Sequence, residues 1–174
     1  MSNAVLLGIT HDMYALDHAS IATPIGTVQV AALGDVIGSI TIETGQHVSR
    51  GTSDAVRRAA IQIEQWFAGE RDDFDLSLVP LDSERGTALR HGIMMIGYGD
   101  VMSYGALAQK IGSGPRAIGQ ACARNPLPII VPCHRVVNAG GAVGAYSGGG
   151  GSVTKQWLLA HEQRHRRQPT DRLL

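Results

Sequence analysis

Residues 21–43, IATPIGTVQVAALGDVIGSITIE, alternate β-branched with small side chains between glycine turns. Residues 53–69 then change to apolar spacings of three and four. One element cannot serve both patterns, because side chains repeat every two residues along a strand and about every 3.6 along a helix. The chain therefore opens with two or three antiparallel strands, and Val28, Val30, Ile37, Ile40 and Ile42 are expected to face inward. A helix follows, capped by Ser53, buried through Val56, Ala59, Ala60, Ile63, Trp66 and Phe67, and stopped by Gly69.

The stretch GERDDFDLSLVPLDSERG, residues 69–86, mixes acids, a proline and turn formers and reads as an inter-domain linker. Beyond it, ALRHGIMMIGYG predicts a short helix ending near Gly97. Ser103 caps another that buries Leu107, Ala108 and Ile111 and ends before Gly112. Pro115 fits the first turn of a third, which must end at Asn125 because Pro126 forces the residue before it out of the α region. The fold class is α/β of the α+β kind. A small antiparallel sheet with its helix occupies residues 1–80, and a mostly helical domain with a helix-turn-helix occupies residues 81–174.

Charge narrows the partners. The chain of 174 residues is neutral overall, yet residues 1–100 carry thirteen acids against six bases. From Val101 to His161 there is no acid at all, while Lys110, Arg116, Arg124, Arg135 and Lys155 remain. Such a stretch attracts a polyanion. If four of those five cations meet phosphates, log K for DNA falls with log salt at a slope of roughly −3 to −4. In the helix after Pro115, Arg116, Gln120 and Arg124 share one face with Gly119 and Ala123 between their rows, so little bulk stands between the backbone of a nucleic acid and this helix. Cys122 points elsewhere and reads as a small buried hydrophobe.

Other partners find less support. No apolar run is long enough to span a bilayer, and MSNAVLLGITHDM lacks a basic n-region, so a cytoplasmic protein is expected. Two cysteines make no disulfide framework, and most of the seven histidines are scattered, so no metal and no cofactor are expected.

IIVPCHRVV, residues 129–137, places a thiol beside an imidazole and a guanidinium within an apolar run. A free thiol has a pKa of about 8.5 and needs a base or a positive field to act as a nucleophile at neutral pH. On a strand, Cys133 and His134 would point to opposite faces, so a bridging water or a bend at Pro132 is required. The imidazole also needs an orienting carboxylate. Only Asp100, Glu162 and Asp171 follow Glu84, and Glu162 on KQWLLAHE is the best placed.

NPLPIIVPCHRVVNAGGAVGAYSGG, together with YG…SYG.LA, RA.G.A..RNP and K.WLLAHE in order, resembles the O6-alkylguanine-DNA alkyltransferases from about Ile96 to Glu162. TPIGTV and QWFAGERDDFDL resemble that family's N-terminal domain more weakly. The resemblance implies a monomer that binds double-stranded DNA through the minor groove and flips O6-alkylguanine, or O4-alkylthymine, into a pocket. It implies that Arg116 fills the vacated stack, with Ala117, Gly119, Gln120 and Arg124 along the DNA face. Tyr104 would contact phosphate and guanine N3, and the main chain at Cys133 and Val136 would hold the exocyclic amine. Tyr146 would wall the pocket, the Ser147 N–H would meet O6, and Asn125 would pin the turn. Cys133, water, His134 and Glu162 would form the activating relay, and each molecule would react once.

Four departures from the family pattern stand out. The turn from Gly112 to Arg116 is two residues short, and IPYG is IGYG. Arg85-Gly86 and Leu89-Arg90 replace Phe-Gln and Val-Trp. The loop SGGGGSVT between Tyr146 and Lys155 is two residues longer than in the family and glycine-heavy, which predicts a mobile pocket lip, and HEQRHRRQPTDRLL predicts a frayed basic tail. Two other functions compete: a lesion-binding protein without repair, whose known relatives lack the cysteine, and a thiol hydrolase, which the adjacency of Cys133 and His134 disfavours.

Overall fold

The computed structural model describes residues 16–166, so MSNAVLLGITHDM and the tail beyond Arg166 lie outside it. Three antiparallel strands, β1 (Leu16–Thr23), β2 (Gly26–Leu33) and β3 (Val36–Glu43), form a sheet in that order. Val28, Val30, Ile37 and Ile40 are buried beneath it. Residues 37 and 40 have opposite parity and could not share a face of a regular strand. The register shift that leaves Gly38 unpaired between Ala31↔Ser39 and Ala32↔Ile37 solves this. Ile42 differs from expectation: it is only half-buried, and it packs against the glycine loop described below.

Helix α1 (Asp54–Phe67) begins at Ser53, whose hydroxyl accepts from the Val56 N–H, and it lays Val56, Ala59, Ile63 and Trp66 on the sheet. Gly69 ends it with a φ of 74°. The following stretch is not a free tether. Ser77 and Val79 bond the backbone of Ile37 on the edge strand, and the Gln62 side chain holds the Asp75 backbone on both sides. Ile40 donates to the Pro126 carbonyl on the same edge. The exposed edge of the sheet is thereby covered, and one apolar core continues from Ala19 to Leu158.

Helix α2 runs from Glu84 to Met94, earlier at both ends than the apolar pattern suggested. The reason is local: Ser83 accepts from the Gly86 N–H and Glu84 sits in the first turn, a start signal hidden inside the acidic stretch. Strand β4 (Met102–Ser103) leads into α3 (Tyr104–Lys110), capped by Ser103. Residues 111–114 connect it to α4 (Pro115–Ala123), which packs on α3. The chain returns through β5 (Val136–Val137), parallel to β4, and then forms α5 (Ser152–Arg164). Residues 161–166 are thus no frayed tail. His161 is buried with its Nε2 on the Trp66 carbonyl, and Arg166 pairs with Asp100. Among the described residues, no helix is long and apolar enough to cross a membrane.

Candidate active site

Asn125 organises the approach to the thiol. Its Oδ1 accepts from Leu127 N–H at 3.0 Å, and its Nδ2 donates to the Val131 carbonyl at 3.0 Å and to Cys133 Sγ at 3.2 Å. Between them Ile129 holds a φ of 76°, a left-handed conformation that a β-branched residue adopts only under constraint. Cys133–Arg135 then form one turn of 3-10 helix instead of a strand. Successive side chains diverge by about 120° there, so Cys133 and His134 are no longer forced to opposite faces.

Behind the thiol lies a buried carboxylate with every lone pair engaged. Glu162 accepts from His134 Nε2 at 2.7 Å, from Arg135 Nε at 3.0 Å and Nη2 at 2.9 Å, and from the Gly99 N–H at 3.0 Å. Burial alone would raise its pKa. The hydrogen bonds from His134 and Arg135 and the fixed Arg135 charge outweigh that and bring it down to about 2. Burial pushes the His134 imidazole the other way, toward the neutral form. An ionised carboxylate can only accept, so the ring proton sits on Nε2 and Nδ1 is a bare acceptor. That Nδ1 is buried and has no hydrogen-bond partner among the described residues. Trp66 from α1 stands edge-on to the ring at 6.3 Å, so the first half of the chain buttresses the imidazole.

Cys133 is 2% exposed and lines a cavity of about 200 Å3 with Tyr104, Gly119, Cys122, Ala123, Ala145, Tyr146 and Ser147. The β4–β5 bridge sets this geometry, because it joins the residues just before Tyr104 to those just after the thiol turn. Burial pushes the Cys133 thiol up, opposed by the Asn125 hydrogen bond and the Lys155 charge. The resting sulfur is therefore protonated. Tyr104 and Tyr146 are also raised by burial, so both remain phenols at neutral pH.

Several expected residues fall elsewhere. Cys122 does not turn away: residues 119, 122 and 123 share a face at helical spacing, so it forms a wall of the cavity, its thiol pushed up to about 12 by burial. Val136 does not line the cavity, and its carbonyl accepts from Lys155 Nζ at 2.7 Å, whereas Asn125, outside the cavity lining, sits in the turn it was expected to pin. Arg116, Gln120 and Arg124 are exposed along α4 as expected, Gly119 faces the cavity, and Ala117 faces a groove on the α2 side.

Two cations counted as phosphate ligands are internal. Arg135 is 6% exposed and bound to Glu162. Lys155 is fully buried and bridges the carbonyls of Val136 and Ala145. A charge inside an apolar run such as IIVPCHRVV signals a buried pair, and that was readable for Arg135. For Lys155, one turn into an amphipathic helix, nothing local gave it away. The loop glycines also answer to packing. A Cβ on Gly148 or Gly149 would come within 3.1 Å of the Ile42 side chain, and Gly149 has a φ of 53°.

A family model described as 6-O-methylguanine DNA methyltransferase, DNA binding domain, matches residues 87–164. A methylated-DNA–protein-cysteine methyltransferase of Mycolicibacterium paratuberculosis is 36% identical over 157 residues, covering 86% of this chain and 94% of the relative. One from Methanosarcina acetivorans is 42% identical over 108 residues, covering 61% and 68%. Among solved structures, Mycobacterium tuberculosis OGT in complex with DNA superposes with a TM-score of 0.74 at 34% identity, over 85% of this chain and 93% of that one. The M. tuberculosis O6-methylguanine methyltransferase gives a TM-score of 0.74 at 30% identity, covering 91% and 99%.

Proposed function

The chain belongs to the methylated-DNA–protein-cysteine methyltransferase family of DNA-repair enzymes, and from that premise we propose that Cys133 takes the alkyl group from O6-alkylguanine in duplex DNA, once per molecule. The observation that carries this reading is a buried thiol in a cavity of about 200 Å3, one residue from a histidine whose free nitrogen is a base. A flipped guanine would enter between Tyr104 and Tyr146. His134 Nδ1, through a water, accepts the thiol proton, while Glu162 and Arg135 hold the ring in that tautomer.

Sulfur then attacks the alkyl carbon in line. The S–C bond forms as the C–O6 bond breaks, and the electron pair moves onto the guanine. Tyr104 donates to N3 as that charge develops, and the Ser147 N–H faces O6. The net proton movement is from thiol to guanine. The thioether product has no bond that water can cleave to restore the site. Residues 81–174 carry the chemistry in this reading and residues 1–80 brace it through Trp66. The protein acts as a cytoplasmic monomer with DNA as its partner.

Duplex DNA carrying labelled O6-methylguanine provides the test. The expected result is at most one label per chain, on the Cys133 peptide. Sustained turnover, or label retained by Cys133→Ala, overturns the proposal.

A further inference from the structure

Beside the α4 face lies a second depression that alkyl transfer does not use. It is a groove of about 660 Å3 between α2, along its length from Arg85 to Ile93, and the flank of α4, with Leu89 and Ile93 at its floor. Among the described residues its charge is one-sided: Arg85, Arg90 and Arg124 face Asp82 alone. Arg85 and Arg124 are exposed. Arg90 is half-buried, with Nη1 on the Val79 carbonyl and Nη2 buried without a hydrogen-bond partner among the described residues. A guanidinium held in this way favours an anion above it. Gln120 and Arg124 belong both to the groove and to the exposed α4 face, so the two surfaces are continuous. Arg85 and Arg90 also stand at positions where this chain departs from the family pattern, replacing Phe and Trp. Two rings exchanged for two guanidinium groups leave the space open and cationic.

We propose that this groove holds the sugar-phosphate backbone of the bound duplex alongside α4, with Arg85 and Arg124 on phosphates above the Arg90 charge. The proposal rests on the DNA-repair reading above. Without the groove, the exposed cations of the charge-poor stretch are Lys110, Arg116 and Arg124, which gives a salt slope of about −2.7. With Arg85 seated on a phosphate the slope steepens to about −3.6.

The experiment is a salt titration of duplex binding by the full chain and by Arg85→Ala, an exposed position. The variant is expected to bind about eightfold more weakly at 0.1 M salt, with a slope shallower by about 0.9, and Arg85→Lys to restore both. An unchanged slope and affinity in Arg85→Ala overturns the inference. So does tripolyphosphate binding equally well to free and DNA-loaded protein, which would mark a free-anion site. Wild-type transfer from free O6-methylguanine base, which has no phosphate, separates the two claims: its presence with an unchanged slope refutes the groove alone.

Discussion

Replacing Glu162 by glutamine tests the buried network at its centre. The substitution keeps the shape but removes the charge that compensates Arg135, itself 6% exposed. Breaking a buried pair in this way costs roughly 3–5 kcal/mol. An independent route reaches the same size. A carboxyl moved from 4.5 down to about 2 contributes about 3 kcal/mol, at ~1.4 kcal/mol per pH unit. Because the folded pKa is the depressed one, this contribution is complete above about pH 4.5 and fades as pH falls toward 2. Urea unfolding of wild type and Glu162→Gln should therefore differ by about 3 kcal/mol at pH 7, narrowing to roughly half of that or less at pH 3. Asp17, lowered to about 2 chiefly by the Ser53 backbone N–H, titrates in the same window but is common to both proteins and cancels. A gap that stays constant from pH 7 to pH 3 would refute an ionised, network-held Glu162.

Lys155→Met should cost about 2–4 kcal/mol by stranding the Val136 and Ala145 carbonyls, yet leave the salt slope of DNA binding unchanged; a slope shallower by about 1 would return Lys155 to the DNA surface. Iodoacetamide should alkylate Cys133 more slowly than a free thiol at pH 7, with a rate still climbing above pH 9, and Asn125→Ala should slow it further; peptide mapping separates Cys133 from Cys122. Gly149→Ala should destabilise by about 1–3 kcal/mol, and Ile42→Ala should relieve part of that loss; strict additivity of the two in denaturation would contradict the close loop–strand packing.

Local rules reached far along this chain because the signals are short-range. Ser53, Ser103 and Pro115 mark helix starts by chemistry that needs only the neighbouring backbone, and the period change after residue 43 separates sheet from helix. The thiol, its histidine and the partner carboxylate were also legible, since so few acids follow Glu84. Tertiary packing decided whatever depends on which surface a residue meets. Arg135 and Lys155 are cations like Arg116 and Arg124 until the fold buries them on carbonyls and a carboxylate, and Cys122 is an ordinary apolar position until α4 turns it into the cavity. Burial sets the protonation of Cys133 and His134 as well, because the cost of charge depends on the surrounding atoms, and those come from segments far apart in the chain.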